Sequence, residues 1–220
     1  MGSRLLTERV SLLEVIAQRV GTPVYVYDAD RIRAQYRALD AALAAVPHRL
    51  FYSVKANSNL AILGLLRTLG AGVDVVSVGE IARALRAGFA PSDIVFSGVG
   101  KGTEELRRAV ELRVRSINVE SFDELRALEA IASQSGANVV CGIRVNPDVA
   151  TATHPYTQTG EAGMKFGAPI GDVEPMGRYV RASAALRLES IGMHIGSQIF
   201  DVEHFRRGAE TLARLIADLR

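Results

Sequence analysis

Short runs rich in β-branched residues recur along this chain, and each is followed by a stretch whose apolar residues fall at helical spacing. No other feature restricts its fold so sharply, because these two periods in regular alternation point to a parallel sheet with helical crossovers. Leu50–Val54, Gly72–Val76, Asp93–Ser97, Ser116–Val119, Asn138–Val145 and Leu188–His194 read as strands. Helices are expected over Asn59–Leu69, from after Val76 to Ala87, over Thr103–Leu112, over Asp172–Ala185 and over Val202–Leu219. Another is opened by the capping box Ser121-Phe122-Asp123-Glu124 and closed near Gly136. A Pro- and Gly-bearing loop fills Asn146–Gly171, and the whole amounts to about six βα units.

Ahead of these units, residues 11–20 have a helical pattern, Thr22-Pro23 breaks it, and Val24–Tyr27 reads as a brief strand. Asp28 then caps a helix with Ile32, Tyr36, Leu39, Leu43 and Val46 on one face, and Pro47 stops it. The expected division is therefore an N-terminal segment, 1–27, and a main domain, 28–220. A doubly wound sheet and a (β/α)8 barrel both satisfy the alternation. The first strand is not followed by Gly-x-Gly-x-x-Gly, which weighs against a dinucleotide fold. A barrel needs eight units. The chain stops at Arg220 inside an amphipathic pattern without a C-terminal cap, so the expectation is a (β/α)8 TIM-type barrel truncated after about six units.

Charge excludes some functions. A formal net charge of +2, with arginines spread among acids, does not make a surface for nucleic acid or an anionic membrane. No apolar stretch is long enough to span a bilayer, and charges interrupt the start where a signal-peptide core would lie. The single Cys141 suits a reducing compartment, and its apolar neighbours point to a buried, inert thiol. A cytoplasmic protein is expected, and no cluster has metal-ligand spacing.

In parallel α/β folds the chemistry gathers at the C-terminal ends of the strands. That rule brings together Lys55-Ala56-Asn57, Ser77 and Glu80, Gly98–Lys101, Glu120, Arg144 with Asn146, and His194 with Ser197. Lys55 at the mouth of a strand would be partly desolvated and so available as a nucleophile, or would simply snorkel to solvent. His194 could stack on a planar ring or exchange a proton, and could equally be bonded to backbone in a turn. Gly196 and Ser197 offer close backbone approach and a hydroxyl to an anion. Ser77-Val78-Gly79-Glu80 has the pattern of a helix cap. Asp74 inside an apolar run needs a partner or must titrate upward, and Lys55 on the adjacent strand is a candidate. Arg144 could hold a carboxylate, phosphate or phenolic oxygen, or lie on the surface.

These same residues carry a resemblance. Phe51-Tyr52-Ser53-Val54-Lys55-Ala56-Asn57-Ser58-Asn59 resembles the cofactor-lysine motif of the diaminopimelate decarboxylases, part of a larger group that includes ornithine and arginine decarboxylases. Gly72–Glu80, Ile94–Lys101, Asn118–Ser121, Arg144–Asp148, Thr153–Gly160, Lys165-Phe166-Gly167 and His194–Gln198 follow in the family's order. The resemblance implies pyridoxal 5'-phosphate as cofactor. Lys55 would hold it as a Schiff base, His194 would stack on its ring, and Ser197 would bind its phosphate. Asp74, Glu80 and Arg144 would shape the polar surroundings. It also implies an amino-acid substrate, lysine as product and a homodimer for the full-length protein. The family's Gly-rich phosphate loop, its Glu-Pro-Gly-Arg segment and its C-terminal β-domain would lie beyond position 220, so little or no activity is expected of these residues alone. A decarboxylase for another basic amino acid or a carboxylated polyamine, a non-catalytic cofactor-binding protein, and an inactive fragment are the rival readings.

Overall fold

A computed structural model of the chain describes residues 2–146, 166–197 and 199–219, with side chains from Val10 onward. Two compact units emerge, Met1–His48 and Arg49–Arg220. In the first, α1 (Gly2–Val20) begins well before residue 11, because residues 3–10 contain no breaker to stop it. α2 (Ala29–Ala42) starts where expected, with Asp28 Oδ1 accepting from the N–H groups of Asp30 and Arg31 at 2.9 and 3.1 Å. Between them, Val24–Tyr27 is extended but joins no ladder among the described residues, and Tyr25 is 89% exposed. Residue preference for strands registers packing on a pleated surface, and no neighbouring strand provides one here.

The second unit alternates throughout. It runs β1 (Phe51–Ser53), α3 (Leu60–Thr68), β2 (Gly72–Val75), α4 (Val78–Arg86), β3 (Ile94–Phe96) and α5 (Thr103–Leu112). Then follow β4 (Ser116–Val119), α6 (Phe122–Ser135), β5 (Val139–Val145), α7 (Ile170–Ala182), β6 (Leu186–Met193) and α8 (Val202–Asp218). All pairings are parallel, and the six strands lie in chain order from β1 to β6. This order settles the choice left open above. A doubly wound sheet reverses direction at a switch point, whereas here each strand pairs with the next, as in consecutive units of a (β/α)8 barrel.

Some boundaries moved for identifiable reasons. Val54 leaves β1 for a 3-10 turn, Val54–Ala56. α7 ends at Ala182 rather than Ala185, because the Ala185 carbonyl accepts from Val139 N–H at 2.8 Å and draws that segment into the sheet.

The core lies between the sheet and its helices. Val73, Val75, Phe96, Ile117, Ile143 and Val145 face Leu63, Ile81, Leu106, Leu125 and Met176, all essentially inaccessible. Cys141 belongs to this layer, and burial pushes its thiol up to about 12, so it is inert as expected. The other face of the sheet is polar. Ser53 lies opposite Asp74, and Asn118 and Ser190 flank Gly142. Glycine at 142 makes room for these side chains, since a Cβ there would stand 2.3 Å from Asn118 Oδ1 and 2.4 Å from Ser190 Oγ and would force them to shift. Among the described residues no helix is long and apolar enough to cross a membrane.

Candidate active site

The inner face and the C-terminal ends of the strands bring four of the expected residues into mutual electrostatic range. Lys55 rides on the 3-10 turn after β1 and is exposed. The desolvation expected from its place at a strand mouth is therefore not met, because the turn lifts it clear of the sheet. Asp74, half-buried on β2, accepts a 2.5 Å hydrogen bond from Ser97 Oγ, which in turn accepts from Asn118 Nδ2 at 3.0 Å. Burial drives the Asp74 carboxyl above the ordinary carboxylate range, opposed by the Ser97 hydrogen bond and by the charges of Lys55 and Arg144. Both halves of the expectation for Asp74 hold. It titrates upward and it has a partner, but the direct partner is Ser97, while Lys55 acts through space.

Arg144, at the end of β5, binds Glu120 Oε1 at 2.9 Å and lies 5.3 Å from the centroid of the Phe166 ring. It is neither a loose surface arginine nor wholly free for a ligand, since part of its guanidinium is already engaged. His194, half-buried just past β6, is held below the ordinary imidazole value first by burial and then by the charges of Arg144 and Lys55. It is a neutral ring at neutral pH. Ser197 is exposed in the turn beyond it, after Gly196, whose φ of +136° lies in a region that favours glycine.

Glu80 stands apart from this group. Its Oε2 accepts from Val76 N–H at 2.9 Å, and its own N–H donates to Ser77 Oγ at 3.2 Å. The carboxylate therefore secures the β2–α4 turn, as a capping pattern implies, although it reaches one residue before the N-cap. The same displacement occurs at α6. Ser121 Oγ accepts from Glu124 N–H, whereas Glu124 Oε2 accepts from Glu120 N–H at 2.9 Å rather than from Ser121.

Several residues at the site escaped assignment from sequence. Ser97 and Asn118 hold Asp74, and the alternation of polar and apolar residues in Ser116-Ile117-Asn118-Val119 was the available signal. Lys101, placed by sequence among the polar groups at the strand mouths, is buried. Its Nζ donates at 2.6 Å to each of Gly98 O, Asn118 O and Glu124 Oε1. The motifs Thr153–Gly160 and Lys165, and Gln198 of the last motif, lie outside the described residues.

The arrangement fits a cofactor with a planar ring, an aldehyde and an anionic tail. It presents an exposed amine, a carboxyl that readily holds a proton, a neutral flat imidazole and a fixed guanidinium. The Ser53 hydroxyl, across the register from Asp74, helps to offset the burial of that carboxyl. The class so defined is an α/β protein with consecutive parallel units of barrel type and polar groups gathered at its strand ends. Residues 29–220 match the family described as "Pyridoxal-dependent decarboxylase, pyridoxal binding domain", and the chain belongs to that family. The family's cofactor is pyridoxal phosphate.

The particular relatives are consistent with one another. The chain is 47% identical over 216 residues to a diaminopimelate decarboxylase of Pseudomonas aeruginosa, covering 97% of this chain and 51% of that protein. It is 48% identical over 219 residues to the Pseudomonas fluorescens enzyme of the same name, covering 98% and 51%. The structure of Helicobacter pylori diaminopimelate decarboxylase complexed with L-lysine superposes with a TM-score of 0.91 at 40% identity, covering 94% of this chain and 52% of that one. The chain thus spans about half the length of the curated relatives it matches.

Proposed function

We propose that the protein carrying these residues releases the D-centre carboxylate of meso-2,6-diaminopimelate as carbon dioxide and yields L-lysine, with Lys55 as the cofactor lysine. The observation that carries this reading is the convergence of Lys55, Asp74, Arg144 and His194 at one end of a parallel sheet. The shared name of the relatives, and L-lysine in the Helicobacter pylori complex, support the substrate.

When bound, pyridoxal phosphate supplies the electron sink for cleavage at the amino-bearing carbon. The exposed Lys55 amine provides the covalent anchor and, once displaced by substrate, a base or acid beside the reacting carbon. Neutral His194 offers a flat face to the ring without adding positive charge. Asp74, its carboxyl raised above the ordinary carboxylate range by burial, would hold a proton more readily than an ordinary aspartate, and Arg144 presents a positive charge fixed by Glu120. Ser197 and the open backbone at Gly196 suit the phosphate. Glu80 acts one step away, by fixing the β2–α4 turn. A cytoplasmic homodimer is part of the same proposal.

Incubation with pyridoxal phosphate followed by borohydride reduction, with peptide mass spectrometry, should place the pyridoxyl group on Lys55. Labelling spread over other lysines would defeat the cofactor assignment. Carbon dioxide release by the protein that carries these residues should be greatest with meso-2,6-diaminopimelate and abolished by Lys55→Ala. Faster release from ornithine, arginine or a carboxylated polyamine would transfer the substrate assignment to that compound.

A further inference from the structure

Glu120, just past β4, has a side chain only 5% exposed. A carboxylate so placed is costly to bury unless its oxygens are all engaged, and here they are. Oε1 accepts from Arg144 at 2.9 Å, and Oε2 accepts from Gly167 N–H at 2.8 Å. Gly167 is held against the end of β5. Its φ is +82°, and a Cβ there would stand 2.7 Å from Asn146 N. Glu120 is itself anchored through its own N–H, which donates to Glu124 Oε2 at 2.9 Å. Glu124 Oε1 is bound by buried Lys101, which ties it to the carbonyls of Gly98 and Asn118. A continuous set of charge-assisted bonds thus runs from the ends of β3 and β4, through α6, to the guanidinium on β5.

We propose that Glu120 is a positioning residue that holds the Arg144 guanidinium at the cofactor end of the sheet. A long arginine at a strand end is free to turn towards the nearest anion. That anion is Glu120, at 2.9 Å, while the Asp74 carboxyl is bonded by Ser97. By engaging Nη1, Glu120 holds the remaining guanidinium nitrogens oriented. The ligand arm of the following test rests on the pyridoxal phosphate reading, while the arm without ligand does not.

The test uses Glu120→Ala, Arg144→Ala and the double variant. In the unliganded protein, the guanidinium N–H signal of Arg144, assigned by its loss in Arg144→Ala, should be protected in the parent and lost in Glu120→Ala. Its persistence unchanged would overturn the proposal. In pyridoxal phosphate titrations, each single variant should weaken binding about tenfold, and the double variant should be no weaker than Arg144→Ala alone, because Glu120 acts only through that residue. Additive losses, near one hundredfold in the double variant, would also overturn it. If Glu120→Ala does not fold, Glu120→Leu fills the volume without an acceptor and should show the same loss of guanidinium protection; full protection would refute the idea. A parent that fails to bind pyridoxal phosphate would overturn the cofactor reading, and the guanidinium signals would still decide the role of Glu120.

Discussion

The two faces of the same six strands are built on opposite principles. On the helix side Val73, Val75, Phe96, Ile117 and Ile143 are buried to 1% exposure or less and belong to one apolar cluster. On the inner side Ser53, Asp74, Ser97, Asn118, Arg144 and His194 lie on or just beyond the same strands and interact by hydrogen bonds and charge. Because successive residues of a strand point to opposite faces, a single register serves both purposes. The helix side stabilises the fold through apolar burial, and the inner side holds polar groups at a cost that only their mutual bonding or a ligand offsets.

That contrast is open to attack by substitution. The largest effect is expected on the helix side, where Phe96→Ala should lower unfolding free energy by about 4 kcal/mol in urea titrations. A loss similar to that of an exposed position would mean the helix face is not the core. Lys101→Met should cost about 3 kcal/mol, because it leaves the Glu124 carboxylate buried without its cation. Replacing Glu124 by Leu in the same chain should recover part of the loss, and no recovery would rule out the pair as the cause.

Inner-face substitutions should act in the opposite sense or hardly at all. The folded-state pKa of Asp74 is raised, so between the ordinary carboxylate value and the raised one the folded chain binds more protons than the unfolded chain. Stability should therefore fall as pH rises through that window, and Asp74→Asn should remove the slope and raise stability above it. A variant less stable than the parent at neutral pH would show that Asp74 supports the fold rather than the site. Smallest of all, Lys55→Ala should change stability by no more than about 0.5 kcal/mol, since the side chain is exposed, while eliminating pyridoxyl attachment.

Much of this was legible from local chemistry. Asp28, Ser77 and Ser121 mark helix starts, and each side chain accepts a backbone N–H where expected. The resemblance implies Lys55, Asp74, Arg144 and His194 as cofactor groups, and in the structure the charges of Lys55 and Arg144 act on both Asp74 and His194. Glu124 shows where local reading stops. Its spacing from Ser121 promised a reciprocal capping box, but Lys101, from the segment after β3, and the Glu120 N–H claim both carboxylate oxygens. The brief strand at Val24–Tyr27 failed for a similar reason, because propensity cannot supply a neighbouring strand.

What the sequence by itself determined is therefore the succession of elements, the apolar stripe on each helix and the identity of the chemical groups at the strand ends. These depend on periodicity, capping and residue type, which act over a few residues. Only the tertiary structure decided that the strands lie in chain order, that Lys55 is exposed, and that Ser97 rather than Lys55 bonds Asp74. It also decided that Glu120 and Lys101 face inward to one another's partners rather than outward to a ligand. Bonds such as Ser97 to Asp74, Lys101 to Glu124 and Arg144 to Glu120 join residues more than twenty positions apart, and a linear pattern carries no record of which distant group arrives to complete them.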